Sequence, residues 1–273
     1  MTDNVSNYDP KLSPKEVQST ISALGIKKAN TKPWHLLLLG ILAGIYISFG
    51  GQCFLAAMEQ GMGRVVGGMV FSIGLVLVVI AGAELFTGNI TMIVGTLTRQ
   101  YSLSKMLLNW GIVYIGNFVG AYLMALLVYW SGLLGTIETS ISPVGQVAVR
   151  VSEFKLAMPF LQEVIRGILC NILVILAIIM SYFSKDIISK IVCIILPITV
   201  FIASGYEHCV ANMYLIPAGL LAKGTDAAGM LQIFNNIIPV TIGNIIGGIF
   251  IVVLHPNRIR QIFALIRTKK SVK

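Results

Sequence analysis

Gly82-Ala-Glu84-Leu-Phe-Thr87-Gly-Asn89 and Gly205-Tyr-Glu207-His208-Cys-Val-Ala-Asn212 repeat glycine, glutamate and asparagine at one spacing in two distant parts of the chain. Each copy sits inside a long apolar run. A charged side chain at the centre of a bilayer costs about 3 kcal/mol by insertion scales, so a carboxylate does not appear there without a reason. Two matching polar interruptions, one per half, are the sequence pointer to a transport site near the middle of a membrane.

Working outward, 56% of residues are hydrophobic and only 11% charged, with a mean hydropathy of +0.86. Soluble domains carry about 25% charged residues. Apolar runs able to cross about 30 Å of hydrocarbon lie near residues 34–58, 65–98, 104–131, 159–183, 187–222 and 233–254. The second and fifth are too long for one plain span, and these two contain the interruptions. Residues 1–32 are polar, so no cleavable signal peptide is expected. The expectation is an all-α membrane protein of six spans, broken in the second and fifth.

Lysine and arginine set the expected orientation. With the N-terminus inside, one face receives Lys11, Lys15, Lys27, Lys28, Lys32, Arg99, Lys105, Lys185, Lys190 and the basic tail from Arg258 to Lys273. The other face keeps only Arg64, Arg150, Lys155, Arg166 and Lys223. Both termini are therefore expected in the cytoplasm. The net charge of +9 reads as this asymmetry together with contact to anionic lipid, not as a nucleic-acid surface.

The duplication extends beyond the interruptions. Gly40-Ile-Leu-Ala-Gly-Ile45 in the first run matches Gly167-Ile-Leu-Cys-Asn171-Ile172 in the fourth, and Ile115-Gly-Asn117-Phe-Val-Gly120 matches Ile242-Gly-Asn244-Ile-Ile-Gly247. Three spans per copy is an odd number, so the second copy must cross upside down, as an inverted-topology repeat. The expected division is a cytoplasmic segment over 1–32, a first three-helix repeat over 33–131, an extracellular linker over 132–158, a second repeat over 159–254 and a basic cytoplasmic tail over 255–273. Within the first segment, Ser13-Pro14-Lys15-Glu16 reads as a capped helix start, with Val17, Ile21 and Leu24 on one face of a short amphipathic helix.

A span unwound at mid-membrane frees backbone groups that lipid cannot satisfy, so they must face protein or a water-containing path. Gly82, Gly88 and Gly205 permit the turn, and Thr87, Asn89 and Asn212 can bond the loosened backbone. Glu84 and Glu207 read as braces of the breaks, because an exposed pore carboxylate would repel anions. His208 alone among three histidines falls at bilayer depth; an uncharged imidazole is expected there until an anion arrives. Cys53, Cys170, Cys193 and Cys209 form no CxxC pair and read as core-filling thiols. Adjacent Glu207, His208 and Cys209 diverge on a helix, so no metal site is expected. No cofactor is expected either, and without a phosphate loop or a nucleophile paired with a base, neither ATP-driven transport nor an enzyme.

These motifs, with Gly205 to Tyr214 and Ile238-Pro-Val-Thr-Ile-Gly-Asn244-Ile-Ile-Gly-Gly248, resemble the formate/nitrite transporter family over about residues 10–255, and in particular its hydrosulfide-channel branch. The resemblance implies an aquaporin-like fold, a homopentamer in the bacterial inner membrane and one pore per protomer. It places the pore centre at His208, Thr87 and Asn171, apolar constrictions at Phe71, Leu75, Leu85 and Phe201, and an anion-collecting outer vestibule at Lys155. Gly88-Asn89 after Thr87 departs from the small hydroxyl residues common in formate channels, which bears on selectivity. The expected function is a channel for small monovalent weak-acid anions, hydrosulfide favoured and formate or nitrite possible, with protons as co-substrates. The alternative is a proton-coupled secondary carrier of the same anions with alternating access.

Overall fold

The computed structural model describes residues 11–136 and 140–254; the expected tail over 255–273 and the first ten residues lie outside them. The regular structure of the described chain is helical apart from a two-residue ladder, Gly135–Thr136 against Ser140–Ile141, and a single bridge between Lys11 and Ser184. Its frame is two helix pairs. Helix α2 (Pro33–Glu59) packs along α7 (Leu103–Trp130), and α9 (Phe160–Phe183) packs along α13 (Ile233–Val253). Glycine sets both contacts: a Cβ on Gly120 would overlap the Ile41 carbonyl oxygen, and one on Gly247 the Ile168 carbonyl oxygen.

Among the described residues, five helical stretches are long and apolar enough to cross a membrane: Pro33–Glu59, Gly63–Ala81, Leu103–Trp130, Phe160–Phe183 and Ala227–Val253. The second consists of α3 (Gly63–Phe71) and α4 (Ile73–Ala81), and the last joins α12 (Ala227–Met230) to α13. The fifth run, expected to be broken, is two shorter helices, α10 (Ile187–Ala203) and α11 (Cys209–Ala222). The second run likewise continues after its break as α5 (Phe86–Asn89), a 3-10 turn and α6 (Ile93–Leu97). Both breaks open on a left-handed glycine, Gly82 at φ 80° and Gly205 at φ 73°, a conformation that costs glycine little and other residues more.

Helix α1 (Pro14–Asn30) starts on a reciprocal cap: the Ser13 hydroxyl accepts from Glu16 N–H at 3.3 Å, and the Glu16 carboxylate accepts from Ser13 N–H at 2.7 Å. Leu12 N–H donates to Phe183 O at 2.8 Å, tying this start to the end of α9. The segment read as a plain linker contains a helix, α8 (Pro143–Leu156), capped by Ser142 Oγ on Gly145 N–H at 3.0 Å. Helix α8 leads directly into the start of α9, so α1 and α8 lie at opposite ends of a 24-residue helix, about 36 Å long. Exposed side chains along the frame are largely apolar, among them Leu38, Leu107, Ile115, Ile165, Ile238 and Ile246. A wall of this kind suits hydrocarbon or another copy of the chain rather than water.

Candidate functional site

Each break is closed by an asparagine from the frame. Asn117 Oδ1 accepts from Phe86 N–H at 2.9 Å, while its Nδ2 donates to Gly40 O at 2.8 Å and Glu84 O at 2.9 Å. Asn244 does the same for the second break: Oδ1 accepts from Cys209 N–H at 2.9 Å, and Nδ2 donates to Gly167 O at 2.8 Å and Glu207 O at 2.9 Å. The bonds to Phe86, Glu84, Cys209 and Glu207 satisfy backbone groups of the breaks that apolar surroundings would otherwise leave unpaired, at roughly 1–3 kcal/mol each. Two more bonds match as well: Glu84 N–H to Leu39 O at 3.2 Å and Glu207 N–H to Arg166 O at 3.3 Å.

The carboxylates face this scaffold. Glu84 Oε2 accepts from Lys28 Nζ at 2.6 Å and Asn89 Nδ2 at 2.7 Å, and Asn89 Nδ2 also donates to Asn109 Oδ1 at 2.9 Å. Glu207 accepts from Lys155 Nζ through both oxygens, at 2.9 and 2.8 Å, and from Asn212 Nδ2 at 2.7 Å. Asn212 Nδ2 in turn donates to Asn236 Oδ1 at 2.7 Å. Asn109 and Asn236 then reach Lys28 O and Lys155 O, each at 3.2 Å. The lysine of α1 thus stands to the first break as the lysine of α8 stands to the second.

Lys155, expected to collect anions at a vestibule, is a buried residue whose ammonium is held by Glu207. Lys28, Asn109, Asn117, Asn236 and Asn244 carry as much of the arrangement as the residues singled out from sequence. Lys28 reads there only as a topological charge, although its position in the duplication matches Lys155. Buried Glu163 on α9 is a further addition: its Oε1 accepts from Asn236 Nδ2 at 2.7 Å.

Where the halves agree they build the frame; where they differ, polar groups converge. His208 occupies the position of Leu85, Thr87 that of Val210, and Asn171 that of Gly44. His208 Nε2 and Thr87 Oγ1 are 2.9 Å apart. Ala211 N–H donates to His208 Nδ1 at 3.1 Å, so the imidazole caps α11. An accepting Nδ1 assigns the hydrogen of a neutral ring to Nε2, which therefore donates toward Thr87. The Thr87 hydroxyl hydrogen is left to point elsewhere. Asn171 Nδ2 donates to Asn244 O at 2.7 Å and to Thr87 O at 3.4 Å, while its buried Oδ1 has no partner among the described residues.

Of the apolar candidates, an aromatic pair adjoins this group. Phe71 packs edge-on to Phe201 with ring centroids 5.7 Å apart, and Phe201 stacks on His208 at 6.0 Å. Leu75 and Leu85 are equally buried. Beyond Leu85, toward α1, opens a cavity of about 320 Å³ whose walls include Lys28, His35, Glu84, Asn89 and Tyr182. Among the described residues no group of His, Cys, Asp and Glu is placed to hold a metal ion.

The chain is similar in sequence and in fold to known proteins. The chain is 35% identical to the formate channel FocA of Escherichia coli (strain K12) over 260 residues, covering 87% of this chain and 90% of that protein. A solved FNT family ion channel superposes with a TM-score of 0.77 at 30% identity, covering 86% of this chain and 95% of its own. A pentameric formate channel with formate bound superposes at 0.63 with 32% identity, covering 79% and 92%. The family pattern described as formate/nitrite transporter matches residues 15–256, and the chain belongs to that family.

Proposed function

We propose that the protein is a channel for small monovalent weak-acid anions, with one pore in each protomer centred on His208, Thr87 and Asn171. The observation that carries this reading is the 2.9 Å contact between Thr87 Oγ1 and His208 Nε2, set between the Phe71–Phe201 pair and Leu85. An anion moving between apolar rings loses its water, at a cost of several kcal/mol unless donors replace it. The Nε2–H and the Thr87 hydroxyl are such donors. The unpartnered Oδ1 of Asn171 is an acceptor, which a conjugate acid needs and an anion does not. Side by side, these groups can hold a weak acid in either protonation state, and a proton joining the anion here removes the charge before the next apolar ring.

In this reading the chain crosses the membrane six times as two inverted three-span repeats, with α1 at the cytoplasmic end and the α8 end outside. The matched bonding of the two breaks supports the repeat, and the excess of lysine and arginine at the α1 end supports the orientation. The exposed apolar wall and the pentameric relative support a homopentamer. Lys155 and Lys28 neutralise the two break carboxylates and so keep bare negative charge off the anion path. The curated relative named above is a formate channel, so formate heads the test panel; the preference for hydrosulfide rests on resemblance alone.

The test is uptake into proteoliposomes of formate, hydrosulfide, nitrite and chloride at two pH values. Weak-acid anions are expected to pass, faster at the lower pH, and chloride to pass poorly. Chloride moving as fast as formate, or no uptake of any of them, would overturn the reading.

A further inference from the structure

Helix α9 carries Glu163 and Arg166 where its counterpart α2 carries Leu36 and Leu39. Glu163 is absorbed by Asn236; Arg166 is not comparably engaged. Its guanidinium offers five N–H donors, makes one long bond from Nη1 to Gly205 O at 3.3 Å and lies over the Phe154 ring at 5.7 Å. A Cβ built on Gly205 would lie 3.3 Å from Arg64 Nη1 and 3.9 Å from Arg166 Nη1. Two guanidiniums, from α3 and α9, therefore converge on one glycine at the opening of the second break. Among the described residues neither is in an ion pair, unlike Lys28, Lys155 and Lys223, which pair with Glu84, Glu207 and Glu153. Two like charges so close repel each other, and an anion between them relieves that repulsion.

The location is as telling as the charge. Arg64 and Phe71 are two turns apart on α3 and share a face, about 10 Å apart along the helix. Phe71 meets Phe201, and Phe201 meets His208. From the α8 end, the guanidiniums come first, then the aromatic pair, then the imidazole. At the α1 end the position of Arg166 is filled by apolar Leu39, so this pairing has no counterpart there.

Building on the channel reading, we propose that Arg64 and Arg166 form a docking subsite for a monoanion, preferentially a small carboxylate, at the α8 end of the pore. Guanidinium matches the two oxygens of a carboxylate in a planar, bidentate geometry, which an ammonium cannot. The subsite concentrates the anion in front of the aromatic constriction, and it acts on entry from that side only.

Formate influx measured from each side, in vesicles of both orientations, tests this with Arg166→Gln, Arg64→Gln and Arg166→Lys. Entry from the α8 side by either Gln variant should need several-fold more formate for half-maximal flux and respond less to ionic strength. Entry from the α1 side and maximal flux should not change, and Arg166→Lys should recover part of the loss. Unchanged half-saturation and salt response in both Gln variants would overturn the subsite while leaving the channel intact. If the wild type moves neither formate nor hydrosulfide nor nitrite, the channel reading fails by itself. The subsite is then read from line broadening of [13C]formate by detergent-solubilised protein: broadening weakened in both Gln variants supports it, and equal broadening overturns it.

Discussion

Thr87 Oγ1 and His208 Nε2 lie 2.9 Å apart although 121 residues separate them in the chain. They meet because each is carried into the interior by a helix break, and because each replaces an apolar residue of the other half. The hydrogen bonds that brace the two breaks match, and the proposed chemistry sits where that match fails. From this division, each substitution has a different expected outcome according to which side of it the residue falls on.

Lys155 and Glu207 form a buried pair, with side chains 11% and 3% exposed. Removing one partner of such a pair costs about 3–5 kcal/mol, because the other charge is left uncompensated. Lys155→Met should therefore lower the unfolding temperature in detergent markedly, and the double variant Lys155→Met/Glu207→Gln should recover much of it. Equal melting of the single and double variants would show that the pairing matters little.

Asn244 satisfies two backbone groups of the second break, Cys209 N–H and Glu207 O, and ties them to Gly167 O of α9. Asn244→Ala should cost several kcal/mol, at roughly 1–3 kcal/mol per orphaned group. Size-exclusion profiles and melting curves should show a poorly folded protein. Asn117→Ala should do the same at the first break, and a well-folded form of either variant would argue against this bracing.

Phe71 and Phe201 bury their rings against each other. Phe201→Ala should open the proposed constriction and admit ions that cannot become neutral. Chloride flux should then rise about tenfold or more toward that of formate, the scale of losing about 1.4 kcal/mol from a barrier. A chloride flux that stays at its wild-type level would place the barrier elsewhere.

The Glu16 carboxyl is held below the usual glutamate range, first by the Ser13 hydroxyl and then by the Ser13 backbone N–H. A carboxyl depressed by folding contributes stability that is present above its unfolded pKa, near 4.3, and is lost as pH falls through the lower folded value. Amide exchange in the first turn of α1 should accelerate as the pH falls below about 4, after correction for intrinsic rates. Glu16→Gln should remove the added acid sensitivity, and an unchanged pH response in that variant would show that the cap does not set it.

Much of this architecture is legible from residue order alone. The breaks declare themselves because glycine, glutamate and asparagine are costly in an apolar run and recur at one spacing. The start of α1 is legible because its cap is local, closed within three residues. Helix α8 is not, because glycine and proline, here Gly132, Gly135 and Pro143, are residue types that turns favour, while Pro143 is in fact the first residue of a helix capped by Ser142. The role of Lys28 stays hidden for a different reason: its carboxylate partner is 56 residues away, and a lysine near a helix end looks like a surface charge. Arg64 and Arg166 likewise look like ordinary loop-side charges until Gly205 brings them together.

The proposed pore centre is tested most directly by formate flux through His208→Asn and His208→Phe at two pH values, with folding checked by size exclusion. Asparagine can keep both the helix cap and a donor, and should retain measurable flux with altered pH dependence. Phenylalanine offers neither, and should cut flux about 10- to 100-fold, the scale of one lost hydrogen bond to a charged group. Wild-type flux and wild-type pH dependence in both variants would contradict a pore centred on His208.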